Sequence, residues 1–398
     1  MNVFSVNVGS TSLKYKVIAM PEEKVIANGK VERIGSEEAD LVYQYGDEEP
    51  FKETLRGDTS YTGAIRRVSE LLFSAPDHSI PGHSVAGIGF KTVHGGPVTG
   101  TVLIDENVIK AMEEYSFVAP AHNPPYIKAI GAFQEMFPET PMVAIFETGF
   151  HRTIPEYARM YSIPYQWYEK YGVRRYGFHG SSHRYIAGRT PQFLQRDSRG
   201  LRMISCHLGG SSSLCAIKDG ISIDTSMGFS AQAGVPQGVR NGDLDVFALL
   251  YVMKKEGLSI EEAQKILGSQ GGLKGISGIG ADMRDLREAA ASGDGKAKLA
   301  IDVFVYEVKK YIGAYSAALG GLDVLVFTGG IGENSSETRE EICANMEYLG
   351  ISLDNDRNQI RGEEGIISFN SSKVTVVVIP TNEELVLARE TWSLVKEN

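Results

Sequence analysis

The densest cluster of reactive side chains lies at residues 174–183, RRYGFHGSSH, which packs two arginines, two histidines and two glycines into ten positions. His179, between Phe178 and Gly180, is suited to donate a hydrogen bond to a transferring phosphoryl group, while His183 suits a core or helix-start contact. Arg240 stands on the glycine-flanked loop GVPQGVRNGDLD, where a guanidinium spans oxygens of a trigonal phosphoryl group; taken singly, a surface role is as natural for it. Glu147 follows the apolar run MVAIF, and Glu383 with Glu384 follows VTVVVIPTN. Acids at the ends of buried strands point into the crevice where α/β proteins bind ligands. They read either as direct or water-mediated ligands of Mg²⁺, an ion that keeps several waters and shares phosphate oxygens, or as solvated loop acids.

Two glycine-bearing turns add to this set. In NVGSTSLK, residues 7–14, Gly9 allows a tight turn, Ser10 and Ser12 offer hydroxyl donors, and Lys14 adds a point charge, which together suit phosphoryl oxygens. The segment is not a GxxxxGK[ST] loop, and alone an ordinary polar hairpin is the commoner reading. GGIGEN, residues 329–334, follows the strand-like VLVFT and opens a helix-like stretch, so its backbone can approach a flat or anionic ligand closely. It lacks GxGxxG spacing, which favours an adenosine site over a dinucleotide.

Such residues need strand ends to hold them. Strand-like runs occur at 3–8, 85–93, 142–146, 203–208, 324–328 and 374–379, and helical spacing of apolar residues at 64–73, 260–267 and 297–319. Strands and helices alternate, as α/β domains require. The segment NVFSVNVGSTSLKYKVI from Asn2 is echoed by RMISCHLGGSSSLCAIK from Arg202, each reading strand, Ser-rich turn, strand. The echo predicts a duplicated domain facing itself across a cleft, although short Gly/Ser turns also coincide by chance.

At 398 residues the chain has room for two or three domains. Forty basic against fifty acidic residues give a net charge of -10 with no Lys/Arg-rich run, which argues against nucleic-acid or acidic-membrane partners. Anionic ligands would then need a local cationic pocket. Cys206, Cys215 and Cys343 show no CxxC spacing and build neither a disulfide scaffold nor a zinc site. With no apolar stretch of membrane length and no secretory pattern at the N-terminus, the expectation is a cytoplasmic protein.

Taken together, NVGSTSLK, VHGG at Val93, PAHNPP at Pro120, FHRTIPEYA at Phe150, YGFHGSSHRY at Tyr176, HLGG at His207, DTSMGFS at Asp224, SGIGADMRDL at Ser277, FTGGIGENS at Phe327 and PTNEEL at Pro380 resemble the acetate kinase family. The resemblance runs over nearly the whole chain. It implies an α/β protein of two duplicated ribonuclease-H-like domains, as in the actin and hexokinase superfamily: 1–149, completed by the helix 384–398, and 150–383. It also implies a homodimer, and ATP with Mg²⁺ for reversible phosphoryl transfer to acetate. By the same resemblance Asn7 and Glu383 form the magnesium environment, Lys14 contacts phosphate, and His179 and Arg240 stabilise the transition state. His207, Leu208, Gly209, Gly210 and Ser211 match the phosphate loop; Asp282, Met283 and Arg284 with Gly330, Ile331, Gly332, Glu333 and Asn334 match the adenosine site. Val93 and Phe178 match positions that line the acyl pocket.

Departures accompany the matches. Lys91 replaces the family's Arg in the VHGG segment, keeping charge but losing the bidentate fork. Glu147 replaces its active-site Asp, and Gly210 its phosphate-loop Asn. Ala121 and Ala231 replace a Leu and a Pro expected against the acyl methyl, which enlarges the pocket. The alternatives are therefore a kinase for propionate or butyrate, a different phosphoryl donor, or a nucleotide-binding paralogue without turnover.

Overall fold

The computed structural model describes residues 1–73, 80 and 84–397, and the chain divides into two units: Met1–Arg152 with the chain from Asn382 onward, and Thr153–Thr381. The first unit holds β1 (Asn2–Val8), β2 (Ser12–Ala19), β3 (Lys24–Glu32), β4 (Glu38–Tyr45), β5 (Phe51–Arg56), β6 (Val85–Thr92), β7 (Thr101–Leu103) and β8 (Met142–Phe146). Their sheet order is β5-β4-β3-β2-β1-β6-β8-β7. The second unit holds β9 (Arg202–His207), β10 (Ser213–Lys218), β11 (Ile221–Thr225), β12 (Val324–Thr328), β13 (Gly365–Ile366) and β14 (Thr375–Val378), in the order β11-β10-β9-β12-β14-β13.

The duplication is visible in the pairings. Going along β3-β2-β1-β6-β8, the contacts run antiparallel, antiparallel, parallel, parallel. The run β11-β10-β9-β12-β14 repeats that pattern. Parallel strands are covered on both faces, so β8 (MVAIF) and β12 (VLVFT) are buried at every residue and read as apolar runs. β4 (EADLVYQY) buries alternate residues on one face, and its polar positions kept it out of the sequence reading.

In the first unit, residues of β1 point alternately to two faces. Phe4 meets Phe133 of the helix Asn123–Met136 edge-on at 5.4 Å, with Phe90 on the same ring at 5.3 Å. Val3, its neighbour, packs with Ile18, Met20 and Ala388 of the helix Glu383–Val395. In the second unit the long helix Gly295–Leu319, capped by Asp294 and by left-handed Gly320, lays Ile301, Phe304, Val308 and Ile312 into the core with Leu214, Leu325 and Phe327. The helix Gly180–Leu194 escaped the sequence reading because Gly188 and Pro191 break its apolar period and its buried face is made of small or polar residues such as Ser181, Ser182 and His183.

Candidate active site

In the first unit the C-terminal ends of the neighbouring parallel strands β1, β6 and β8 carry Asn7, Lys91 and Glu147, and Glu383 is the first residue of its helix. Lys91 Nζ donates to Glu383 Oε2 at 2.6 Å and stands 3.8 Å from Glu147 Oε2. The lysine and Glu383 are 16% and 15% exposed and Glu147 only 4%, so the three charges see little solvent screening. Burial works against the ammonium, but the carboxylates of Glu147 and Glu383 outweigh it and raise the Lys91 pKa. Glu384 stands apart, paired with Lys16 at 3.4 Å.

Tyr126, which the sequence reading missed, completes this edge. Its hydroxyl donates to Asn7 Oδ1 at 3.1 Å and accepts from the Val8 N–H at 3.0 Å, and burial pushes its pKa up, which keeps it a neutral donor. Asn7 lies directly opposite the exposed Lys14 in the β1–β2 register, while Ser10 occupies the turn and Ser12 opens β2. The Gly9 N–H donates to Ser12 O at 2.8 Å, and a Cβ on Gly9 would come 2.5 Å from Ser12 Oγ. Val93 is half-buried and Ala121 exposed, on segments tied by the Asn123 amide donating to His94 O at 2.7 Å.

Among the described residues no three His, Cys, Asp or Glu gather as a metal cluster. A buried carboxylate, a half-buried one and an amide oxygen form instead an incomplete set of hard oxygen donors. Such a set fits Mg²⁺, which takes few protein ligands and completes its shell with water and phosphate oxygens.

The second unit gathers the other candidates. His179 caps the helix Gly180–Leu194 in a left-handed conformation, φ 55°, uncommon for a residue with a side chain. Its Nδ1 lies 2.8 Å from Ser213 Oγ, which is also 2.8 Å from His183 Nε2; His183 Nδ1 in turn meets Ser205 Oγ at 3.0 Å. His207 lies against His179 with ring centroids 4.3 Å apart and pairs with Ser182 at 2.8 Å. Phe178 is buried, and its segment is joined to that of Ala231 through Tyr176 and Gly177, whose N–H groups donate to Gly228 O at 3.0 and 3.2 Å.

Arg240 sits on a loop closed by Asp243, which accepts from the Gly234 N–H at 2.8 Å and from the Tyr311 hydroxyl at 2.6 Å. Its guanidinium nitrogen Nη1 donates to Ser211 Oγ and Gln237 Oε1, both at 3.2 Å. Burial pushes the Arg240 pKa down, and no acidic neighbour among the described residues opposes it.

The phosphate-loop and adenosine candidates meet at Leu208. Its carbonyl accepts from Ile331 N at 2.8 Å and Gly332 N at 3.1 Å. Gly329 makes this possible: its φ is +75°, and a Cβ there would meet Leu208 O at 2.8 Å. Beside these strands is a cavity of about 740 Å³ lined by Gly209, Gly210, Asp282, Met283, Arg284, Gly330, Ile331 and Asn334, within the size range of small-molecule sites. Asp282 caps the helix Met283–Ala291, and the Arg284 guanidinium holds its carboxyl down to about 2. Arg287, Glu337 and Arg361 also line the cavity. Arg287 had a signal in its place one helical turn after Arg284; Arg361, on a remote loop, had none. Glu333 turns its carboxylate to backbone, accepting from Gly329 N at 2.8 Å and Thr381 N at 3.2 Å.

Comparison with known proteins places the chain among relatives. The sequence profile of the Acetokinase family matches residues 2–389. The chain is 47% identical to the acetate kinase of Carboxydothermus hydrogenoformans, over 99% of each chain. Among solved structures it resembles an acetate kinase of Porphyromonas gingivalis, with TM-score 0.90 and 38% identity over 99% of both chains. It also resembles a propionate kinase of Francisella tularensis, with TM-score 0.91 and 35% identity over 98% of this chain and 99% of that one.

Proposed function

The chain belongs to the acetokinase family, and on that premise we propose that it phosphorylates acetate on its carboxylate with ATP, forming acetyl phosphate and ADP in either direction. The observation that carries the reading is the pairing of a nucleotide-sized cavity with Arg240, a half-buried cation that no carboxylate neutralises among the described residues. A carboxylic acid with a pKa of about 4–5 is already ionised at neutral pH, so the acceptor needs no general base. The difficulty is electrostatic, because attacker and γ-phosphate are both anions.

In this reading Arg240 grips the transferring group, and His179, whose Nδ1 is engaged by Ser213, donates from Nε2. In the second unit the Gly210 N–H receives phosphate oxygens and the cavity at Asp282 and Gly330 takes the adenosine; in the first unit Ser10, Ser12 and Lys14 are the groups suited to phosphoryl oxygens. Val93 and Ala121 in the first unit, and Phe178 and Ala231 in the second, are the acyl candidates, and Lys91 offers charge in the first unit while sharing its ammonium with Glu383. Asn7, Glu147 and Glu383 would hold Mg²⁺ directly or through water, and the ion would neutralise charge on the β- and γ-phosphates. The cavity supports a nucleotide over pyrophosphate as donor.

Hydroxamate trapping of acyl phosphate, with ATP, Mg²⁺ and acids from formate to butyrate, tests the reading. Turnover highest with acetate is expected. A maximum at propionate or butyrate would favour the second reading, which the small Ala121 and Ala231 side chains support; ATP binding without product from any acid would sink both.

The same reading includes a cytoplasmic homodimer. All three cysteines are buried thiols outside any disulfide, in keeping with a reducing compartment. The helix Val246–Glu256 has no buried residue although it carries Phe247, Leu250 and Tyr251, 79%, 51% and 63% exposed. A second copy laid antiparallel would cover this surface and set Asp245 against Lys254 and Lys255. Light scattering of the wild type and of Phe247→Asp tests it: a dimer that the variant dissociates is expected, and a monomeric wild type ends the idea.

A further inference from the structure

Among the described residues Arg240 meets no carboxylate; its guanidinium is held by neutral oxygens only, and through a single nitrogen, Nη1. Both oxygens belong to one small network. Gln237, 1% exposed, donates from Nε2 to Ala231 O at 2.7 Å, while its Oε1 accepts from the Ser211 hydroxyl at 2.7 Å and from Arg240 Nη1 at 3.2 Å. Ser211 Oγ accepts from the same Nη1 at 3.2 Å. These partners fix the amide's orientation, because the reversed side chain would turn an NH₂ group toward the guanidinium and a carbonyl toward Ala231 O. The backbone holds the network from beneath: the Gln237 N–H donates to Arg240 O at 3.1 Å, and Gln237 O accepts from Leu273 N at 2.9 Å. One buried side chain thus joins the β9–β10 turn, the Arg240 loop and the residue proposed to face the acyl group.

We propose that Gln237 and Ser211 form a neutral clamp that positions the Arg240 guanidinium by Nη1 alone and leaves its charge, with Nε and Nη2, for the transferring phosphoryl group. Gln237 is a positioning residue, and the assignment rests on the carboxylate-kinase reading above. The clamp's neutrality is the essential property. A carboxylate in place of the Gln237 amide would pair with Arg240, and the substrate anion would have to displace it. With no partner on Nη1, the long side chain would sample other rotamers and lose its aim at the moment of transfer.

Gln237→Met keeps the length of the side chain and removes its hydrogen bonds; Gln237→Glu keeps the shape and adds charge. The hydroxamate assay with acetate and ATP, run beside the wild type, reads both. Gln237→Met is expected to lower kcat on the order of 10- to 100-fold while the KM for ATP stays within about twofold. Gln237→Glu is expected to fall lower still and to raise the KM for acetate. Ser211→Ala, at a half-exposed turn that tolerates the change, is expected to lower kcat alone but to add less than about twofold in the Gln237→Met background, since both act on one nitrogen. If a Gln237 variant fails to fold by circular dichroism, Ser211→Ala carries the test. Unchanged kcat in Gln237→Met or Ser211→Ala, or a Glu variant no worse than the Met one, would overturn the clamp. A wild type that makes no acyl phosphate would overturn the kinase reading first, and is distinguished by failing before any substitution.

Discussion

At the strand ends of the first unit Lys91 lies between Glu383 and Glu147, whereas in the second unit Arg240 has, among the described residues, only hydroxyl and amide oxygens for partners. One cation against two carboxylates leaves the Lys91 cluster net negative; the Arg240 network, with neutral partners among the described residues, is net positive. Topology is shared, since both edges lie beyond the same run of antiparallel and parallel pairings. What differs is the compensation of charge. A compensated cluster with an excess carboxylate is a place for a further cation, and an uncompensated guanidinium is a place for an anion. Phosphoryl transfer from a magnesium nucleotide to a carboxylate requires both.

The contrast can be broken from either side. Removing the uncompensated charge has the largest expected effect: Arg240→Gln should lower kcat by about 10³-fold, with Arg240→Lys restoring little because the planar fork is lost. Steady-state kinetics with acetate and ATP checks this, and near-normal turnover in Arg240→Gln would end the assignment. Removing the compensation comes next. Lys91→Met leaves two buried carboxylates facing each other, so the fold should lose about 3 kcal/mol in thermal or denaturant unfolding without metal, and added Mg²⁺ should restore part of it. Glu383→Gln should instead raise the Mg²⁺ concentration for half-maximal activity by on the order of 10-fold. Opposite results in these two variants would mean that the cluster is an ordinary ion pair.

A smaller effect is expected at the acyl candidates. Ala121→Leu in one unit and Ala231→Val in the other should each move the kcat/KM ratio of acetate to butyrate toward acetate by about 10-fold. An unchanged ratio in both would end their candidacy as acyl contacts.

The smallest expected effects are at two bidentate anchors, one in each unit. Arg389 donates to Glu23 at 2.6 and 2.8 Å, tying the C-terminal helix down, and Arg202 donates to Asp323 at 2.9 and 2.8 Å. The guanidinium partner holds each carboxyl below its ordinary value, 4.5 for Glu23 and 3.8 for Asp323. Their stabilisation is therefore fully present above those values and lost as pH falls through the folded pKa. Glu23→Gln and Asp323→Asn should each cost at most about 1 kcal/mol at pH 7, more for Asp323, which also accepts a backbone N–H at 2.9 Å. The difference from wild type should shrink in unfolding curves taken below pH 4; a difference that persists there would assign the loss to packing.

The two glycine turns show how far the sequence could be read. NVGSTSLK and HLGGSSSL announced strand, turn and strand, and both form such hairpins, β1–β2 and β9–β10. The first turn is closed by Gly9 N donating to Ser12 O, the second by Gly209 N donating to Ser212 Oγ at 3.1 Å. Periodicity also placed the long helix Gly295–Leu319 within two residues of its start, because a buried stripe at helical spacing leaves a local signal. Tyr126, Gln237 and Arg361 left none. Each is an ordinary residue on its own element and acquires a role only from partners far away in the chain, Asn7 for Tyr126 and Ser211 for Gln237.

By itself the sequence determined the α/β class, the duplicated hairpins, the family and which residue types could meet phosphate, since turn chemistry, burial pattern and motif are written in neighbouring positions. Only the tertiary structure decided which charges are paired. Lys91 and Glu383 are 292 positions apart, and nothing local tells the lysine that a helix N-terminus will arrive beside it. The physical reason is that helix and strand propensities act over a few residues, whereas charge compensation depends on distance and burial in the folded chain.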